Sequence, residues 1–296
     1  MSTPKPLPAV LTEWAEEVVG PVQAVRDVSH DRPNSRVWQL TCGTDRVFLK
    51  VAPTPTFYVR ETRAYREAAP ALETGTVPRL LETHAQQQSL LMTQVPGRNV
   101  KTLALTPAQQ LAVHRQAGRW LRRFHGSPGD LTPTDHADAV SEVARAVRGA
   151  EAHLESAGDL IGKEEQEIVR EHATELARLG PLPGGYAHGD FQERNWLLDT
   201  EAGTLAVVDL ERARPHAAVV DFVRLACGPW AGRPDLREAF CDGYGRTLTS
   251  IEETALRCLT ALDAASAISW GVPHHDREIV QRGYATLARL GKAGVA

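Results

Sequence analysis

Three polar residues with the chemistry of phosphoryl transfer lie within one short part of the sequence. Asp190 is followed five residues later by Asn195, and an apolar run further on ends at Asp209. Transfer of a phosphoryl group depends on positioning and charge neutralisation more than on covalent help from the protein. In such a reaction Asp190 would accept the proton of a hydroxyl acceptor. Asn195 and Asp209 would supply the oxygen ligands that Mg²⁺ prefers.

Two short strands are predicted to bring the two metal ligands together. The apolar runs 196–198 and 205–208 have strand character, and the turn residues 200–203 join them as a hairpin. A hairpin returns the chain on itself, so Asn195 before the first strand should lie beside Asp209 after the second. A single Asp or Asn near a turn usually caps that turn. The sequence His-Gly-Asp, the spaced Asn and a second Asp after a strand together favour the functional interpretation.

The sequences HGDFQERN at 188–195 and VVDLERA at 207–213 resemble the aminoglycoside phosphotransferase and choline kinase-like family. The resemblance implies an α+β, bilobal, protein-kinase-like fold. Residues 1–95 would form a small N-lobe with an antiparallel sheet and a helix. Residues 96–296 would form a larger, mostly helical C-lobe with the catalytic loop, a helical insertion at 130–180 and acceptor-binding helices. It also implies transfer of the γ-phosphoryl group of ATP, with GTP as the alternative donor and Mg²⁺ as the metal.

The same resemblance implies a phosphate-binding lysine in the N-lobe. Lys50 lies near the end of an apolar strand-like run, and a helical segment follows it at 56–69. In the family a glutamate of that helix pairs with the lysine and holds it in place. Glu61 matches this position better than Glu67, which lies six residues further along and faces elsewhere on a helix.

Three further residues are predicted to contact the nucleotide by resemblance. Ser35 ends a loop without glycine and would offer its hydroxyl and N–H to a phosphate, although an ordinary turn explains it equally well. At the predicted interlobe hinge, the carbonyl of Thr93 and the N–H of Val95 would bind the adenine edge. Two residues of the C-lobe, His188 and Asp221, are expected to brace the catalytic loop.

The predicted insertion at 130–180 is strongly acidic, and its charge indicates what kind of acceptor the protein would bind. It contains twelve acidic and five basic residues, whereas the whole chain has a net charge of −4. An acidic wall would attract a cationic acceptor, such as an aminoglycoside or a related antibiotic, and the reaction would then confer antibiotic resistance. A solvated helical face is the simpler interpretation. A choline-like amino alcohol or a sugar is the alternative acceptor, and a non-catalytic nucleotide-binding protein is the alternative from another class.

The composition of the chain disfavours nucleic acid, a membrane and zinc as binding partners. The chain has 296 residues with no run of like charges, which is not typical of a nucleic-acid-binding protein. No apolar stretch is long enough to span a bilayer, and the N-terminus lacks the apolar core of a signal peptide, so a cytoplasmic protein is expected. The four cysteines form no Cys-x-x-Cys pair, which disfavours zinc. The oligomeric state is left as monomer or homodimer.

Apolar periodicity and turn residues predict the remaining elements. Helices are expected at 11–19, 106–125, 235–244, 251–270 and 276–290, with two more inside the insertion, and strands at 22–28, 36–42, 46–51, 77–82 and 89–93.

Overall fold

The computed structural model describes residues 4–29, 34–127, 129 and 131–293, which group into two compact units. The first unit contains Met1–Ala104 and Glu193–Arg214, and the second contains Leu105–Gln192 and Pro215–Ala296. A five-stranded sheet lies in the first unit and most of the helices lie in the second. The predicted α+β class, with an antiparallel sheet near the N-terminus and a helical C-terminal part, is confirmed.

The sheet of the first unit is antiparallel throughout, with strand order β1-β2-β3-β5-β4. Helix α1 (Ala9–Val19) precedes it, and α2 (Pro55–Arg63) follows β3 and continues through a π-helical turn, Ala64–Ala68. The strands are β1 (Ala24–Asp27), β2 (Val37–Cys42), β3 (Asp45–Val51), β4 (Leu80–His84) and β5 (Ser89–Thr93). Strand β4 begins three residues later than predicted, because Pro78 has no N–H to donate to a ladder.

The core of the first unit forms on one face of this sheet. Side chains alternate between the two faces of a strand, and every second residue of β2 is buried, including Trp38 and Leu40. On β3, Leu49 is buried on the same face. Leu11 and Ala15 of α1 pack against this cluster. Burial of these apolar side chains stabilises the sheet and leaves Lys50 on its other face.

A small three-stranded sheet also belongs to the first unit. It consists of β6 (Arg98–Asn99), β8 (Trp196–Asp199) and β9 (Thr204–Val207), in the order β6-β8-β9. At Gly97, where φ is 114°, a Cβ atom would lie 2.7 Å from the backbone N of Asp199, so only glycine fits. The predicted division at residue 95 assigns β6 and this hairpin to the C-lobe. Their strand pairing groups them instead with the first unit.

Helices dominate the second unit. They are α3 (Pro107–His125), α4 (Pro133–Ala157), α5 (Lys163–Arg178), the short α6 (Val223–Cys227), α7 (Pro234–Tyr244), α8 (Ser250–Gly271) and α9 (Arg277–Ala293). Strands β7 (Gly184–Ala187) and β10 (Arg214–Ala217) pair beside them. None of these helices, over the residues described, is long and apolar enough to cross a bilayer.

Helix ends follow the local sequence. Thr106 caps α3 with a capping box, and Pro107 takes the first helical position. Helices α3 and α7 approach closely because both carry glycine at the crossing. A Cβ on Gly118 would collide with the backbone at Phe240, and one on Gly243 with the backbone at Arg115. This close crossing fixes α3 and α7 relative to each other within the second unit.

Candidate active site

Lys50 lies at the centre of a cluster of three carboxylates in the first unit. Its Nζ is 3.0 Å from Oε2 of Glu61, 2.6 Å from Oδ1 of Asp209 and 2.9 Å from Oε2 of Glu211. The structure therefore brings three sequence-predicted residues, Lys50, Glu61 and Asp209, into direct contact. Glu67 instead pairs with Arg63 on the surface of the protein, at 2.6 Å.

Two local features place Lys50 and Glu61 face to face. Lys50 points away from the core because its neighbours on β3, Leu49 and Val51, take the buried face. Helix α2 begins directly after β3 and is capped by Thr54, whose side chain accepts a hydrogen bond from the N–H of Phe57. Glu61 is completely buried on that helix. A short connection thus fixes the carboxylate relative to the strand.

The cluster contains more negative than positive charge. Burial above all, opposed by Lys50 and assisted by the neighbouring Asp209 and Glu211, raises the pKa of Glu61 to about 7. Burial opposes ionisation of Lys50, but the three carboxylates hold its pKa well above its usual value. With every group ionised, one ammonium faces three carboxylates and two negative charges are left over. Mg²⁺ carries the charge that would balance them.

The hairpin β8–β9 brings Asn195 beside Asp209, as the sequence predicts. Trp196 pairs with Val207, and the N–H of Val208 donates to the carbonyl of Asn195 at 3.0 Å. Asp209 has a φ of 71°, in the left-handed region that non-glycine residues seldom adopt. Backbone strain of this kind concentrates at functional sites.

The donor set of these two residues fits Mg²⁺. An amide oxygen and a carboxylate oxygen are hard ligands, and Mg²⁺ in nucleotide sites takes few protein ligands because phosphates and water complete its shell. Among the residues the structure describes, no group of three or more His, Cys, Asp or Glu side chains is arranged to hold a metal by itself. Asn195 and Asp209 are the residues that would hold the ion.

In the second unit, Asp221 fastens the loop that carries Asp190. Its carboxylate accepts hydrogen bonds from the N–H groups of His188 and Gly189, both at 2.7 Å, and lies 2.9 Å from Nε2 of His125. Gly189 has a φ of 78°. Burial opposes ionisation of Asp221, yet the hydrogen bond and charge of His125 lower its pKa below the usual value. These contacts agree with the bracing roles expected of His188 and Asp221.

Asp190 itself is buried and in contact with two side chains that the sequence did not reveal. Gln192 donates a hydrogen bond from Nε2 to Oδ1 of Asp190, and Nε of Arg224 lies 3.9 Å from the same oxygen. Nη1 of Arg224 also contacts both oxygens of Asp263 on α8 at 2.9 Å. Arg224 lies on a five-residue helix and Asp263 far along the chain. No local pattern connects them with Asp190, so only the fold could identify them.

Three more residues are predicted to contact the nucleotide: Ser35, Thr93 and Val95. The carbonyl of Ser35 accepts a hydrogen bond from Nζ of Lys5 at 2.6 Å. Residues 30–33 of the adjoining loop lie outside the described residues. Thr93 ends β5 opposite Val47, and Val95 is buried two residues later. Their contacts with phosphate and adenine stay predictions.

The predicted acidic insertion forms α4 and α5, although its first residue, Asp130, lies outside the described residues. Part of its negative charge is paired, since Arg170 contacts Glu151 at 3.0 Å and Arg257 of α8 contacts Glu175 at 2.9 Å. Glu164 and Glu165 lie in the first turn of α5, where negative charge stabilises a helix. The acids therefore have structural roles beside any role in attracting an acceptor.

Comparison with known proteins gives one family and one fold. The sequence profile of the phosphotransferase enzyme family (APH) matches residues 24–257. No curated protein sequence matches the chain. Among solved structures, the complex of APH(2")-IIa with streptomycin and ATP has a TM-score of 0.66 at 17% identity, covering 96% of this chain and 97% of that one.

Two more solved structures are similar. A thermostable mutant of aminoglycoside phosphotransferase APH(4)-Ia, in complex with ADP and hygromycin B, has a TM-score of 0.70 at 12% identity and covers 97% of this chain and 100% of its own. The GDP complex of aminoglycoside 2'-phosphotransferase-IIIa has a TM-score of 0.69 at 11% identity, covering 96% and 98%. At these identities the likeness establishes the kinase-like fold. The profile match over most of the sequence establishes more: the chain belongs to the phosphotransferase enzyme family, whose members transfer phosphate to hydroxyl groups.

Proposed function

We propose that this enzyme moves the γ-phosphoryl group of ATP to a hydroxyl of an aminoglycoside or a related cationic antibiotic, with GTP as the alternative donor. The observation that carries the proposal is the cluster of Lys50, Glu61 and Asp209, which has the charges that a Mg-nucleotide site needs. The similar structures support it, since they hold streptomycin with ATP, hygromycin B with ADP, and GDP. A cytoplasmic location and a monomeric or homodimeric state belong to the same proposal.

In the proposed site Lys50 exchanges one set of anionic partners for another. Without nucleotide its ammonium is held by carboxylates, and with nucleotide it binds the phosphate oxygens while Glu61 keeps it oriented. Mg²⁺ held by Asn195 and Asp209 supplies positive charge against the phosphates when it is bound. Because Glu61 is buried and fixed on α2, little reorganisation is needed when the nucleotide arrives.

Asp190 acts as the general base of the proposed reaction. The acceptor oxygen attacks the γ-phosphorus, the bond from that phosphorus to the bridging oxygen of the nucleotide breaks, and the acceptor proton passes to Asp190. Asp221 and His188 hold the loop of this carboxylate through backbone hydrogen bonds. They act on its position and do not take part in the proton transfer.

The acceptor is the least constrained part of the proposal. The negative charge of α4 and α5 favours a cationic molecule, and the aminoglycosides named in the similar structures are such molecules. A choline-like amino alcohol shares the positive charge, and a sugar shares the hydroxyls. Both stay as alternative acceptors.

An acceptor panel tests the proposal. The purified protein is incubated with Mg-ATP or Mg-GTP and with individual aminoglycosides, amino alcohols and sugars, and each acceptor is examined by mass spectrometry. The proposal predicts that at least one aminoglycoside gains the mass of one phosphoryl group. Phosphorylation of amino alcohols or sugars alone would reassign the acceptor. Nucleotide binding without transfer to any member of the panel would contradict a catalytic role.

A further inference from the structure

Arg224 lies between two carboxylates that can compete for it. Its Nη1 contacts both oxygens of Asp263 at 2.9 Å, whereas its Nε is 3.9 Å from Oδ1 of Asp190. Only the first contact is within hydrogen-bond distance. The guanidinium is therefore bound to Asp263 and merely close to Asp190.

Asp263 is fixed in place by its own surroundings. It lies in the middle of the 22-residue helix α8, and Nη2 of Arg282 on α9 approaches its Oδ2 at 3.5 Å. Asp263 and Asp190 together raise the pKa of Arg224 against the opposing effect of burial. Two arginines and two carboxylates thus balance one another, and neither carboxylate can be removed without leaving a poorly compensated cation.

The balance matters because a base must be able to take up a proton. A charge-assisted hydrogen bond from a guanidinium stabilises the ionised form of a carboxylate and occupies its oxygen. If Arg224 moved inward by roughly 1 Å, it would come within hydrogen-bond distance of Asp190. The carboxylate would then be a weaker proton acceptor.

We propose that Asp263 is a positioning residue of the phosphoryl-transfer site, which holds the guanidinium of Arg224 off Asp190 and so keeps the base able to accept the acceptor proton. The proposal rests on the proposed function of Asp190 as the base. It predicts that substitutions at the two positions are coupled. Loss of Asp263 lowers turnover through Arg224, so removal of Arg224 as well should restore activity.

The test compares five variants with the wild type in steady-state hydrolysis of Mg-ATP, in which water replaces the acceptor. The variants are Asp263→Asn, Asp263→Glu, Arg224→Gln, the double variant Asp263→Asn/Arg224→Gln, and the control Glu253→Gln. Glu253 also lies on α8 and also pairs with an arginine, Arg237 of α7. It is ten residues from Asp263, or roughly 15 Å along the helix axis. Thermal unfolding of each variant reports whether it is folded.

Asp263→Asn should lower kcat by a factor on the order of 10–10², because it impairs the base without removing it, and a general base contributes a factor on the order of 10²–10⁴. The KM for Mg-ATP should stay within about twofold of the wild-type value. The double variant should regain at least about fivefold over Asp263→Asn, which a merely structural role of Asp263 would not allow. Asp263→Glu should retain activity within about threefold, and Glu253→Gln should match the wild type.

Two results would overturn the inference. One is a folded double variant no more active than Asp263→Asn. The other is a crystal structure of Asp263→Asn in which Arg224 has not moved into hydrogen-bond distance of Asp190. The inference and the proposed function fail in different ways. Absence of any turnover by the wild type counts against the function, whereas turnover without rescue counts only against Asp263.

Discussion

Replacing Lys50 by alanine would leave three carboxylates facing one another around an empty position. Removing one partner of a buried ion pair costs about 3–5 kcal/mol of unfolding free energy, because the remaining charges lose their compensation. The Lys50 and Glu61 side chains are 11% and 1% exposed, whereas those of Asp209 and Glu211 are 35% and 18% exposed. Water therefore compensates the last two in part, and we expect a loss of about 3 kcal/mol of unfolding free energy at pH 8.

The loss should depend on pH with a definite sign. Burial already raises the pKa of Glu61 to about 7, and removal of the ammonium raises it further. A carboxyl group whose pKa is higher in the folded state makes the folded state bind more protons, so stability falls as pH rises through the folded pKa. The penalty of Lys50→Ala should therefore be larger at pH 8 than at pH 5.5. Mg²⁺ should reduce it at pH 8 by supplying positive charge.

Urea unfolding at both pH values, with and without Mg²⁺, measures this penalty. Lys163→Ala is the control, since it removes an exposed lysine at the start of α5. A penalty under about 1 kcal/mol at pH 8, typical of a surface ion pair, would refute the reasoning. So would a penalty that is the same at both pH values.

Three further predictions concern the metal, the acid stability and the acceptor. Asp209→Ala should abolish Mg²⁺-dependent nucleotide binding, and unchanged Mg-nucleotide affinity in calorimetry would count against the site. Burial lowers the pKa of His114 to about 4 from 6.5, so its contribution to stability is present above pH 6.5 and lost as pH falls toward 4. His114→Gln should thus lose about 3 kcal/mol less than the wild type between pH 7 and pH 4 in urea unfolding, and equal losses would contradict this. The affinity for a cationic acceptor should fall when salt rises from about 0.1 M to about 1 M, because the Debye length shrinks from about 10 Å to about 3 Å. Replacing four glutamates of α5 with glutamine should lower the affinity in the same way; they are Glu164, Glu165, Glu167 and Glu171. An acceptor affinity that changes with neither salt nor these substitutions would make the segment an ordinary solvated surface.

The local parts of the site were predictable from the sequence. The strand-turn-strand pattern at 196–208 fixed the hairpin and so the approach of Asn195 to Asp209, because hairpin pairing depends on neighbouring residues. The pairing of Lys50 with Glu61 also follows a short connection, from a strand to the next helix. In both cases few residues lie between the partners, and their periodicity gives the direction of each side chain.

The long-range parts were not predictable. The structure places Glu211 against Lys50, 161 residues away along the chain, and no local pattern in the sequence indicates this contact. Arg224 follows Asp221 on a helix too short to show a period, so nothing in the sequence gave its direction. Such contacts depend on how helices pack, which a single sequence does not specify.

Phosphoryl transfer by Asp190→Asn tests the central claim most directly, with Mg-ATP affinity measured on the same preparation. The change removes the proposed base without altering the size of the side chain. The account predicts near-normal affinity for Mg-ATP and a turnover lowered by a factor on the order of 10²–10⁴. A folded Asp190→Asn protein that binds Mg-ATP and transfers phosphate at close to the wild-type rate would contradict the account.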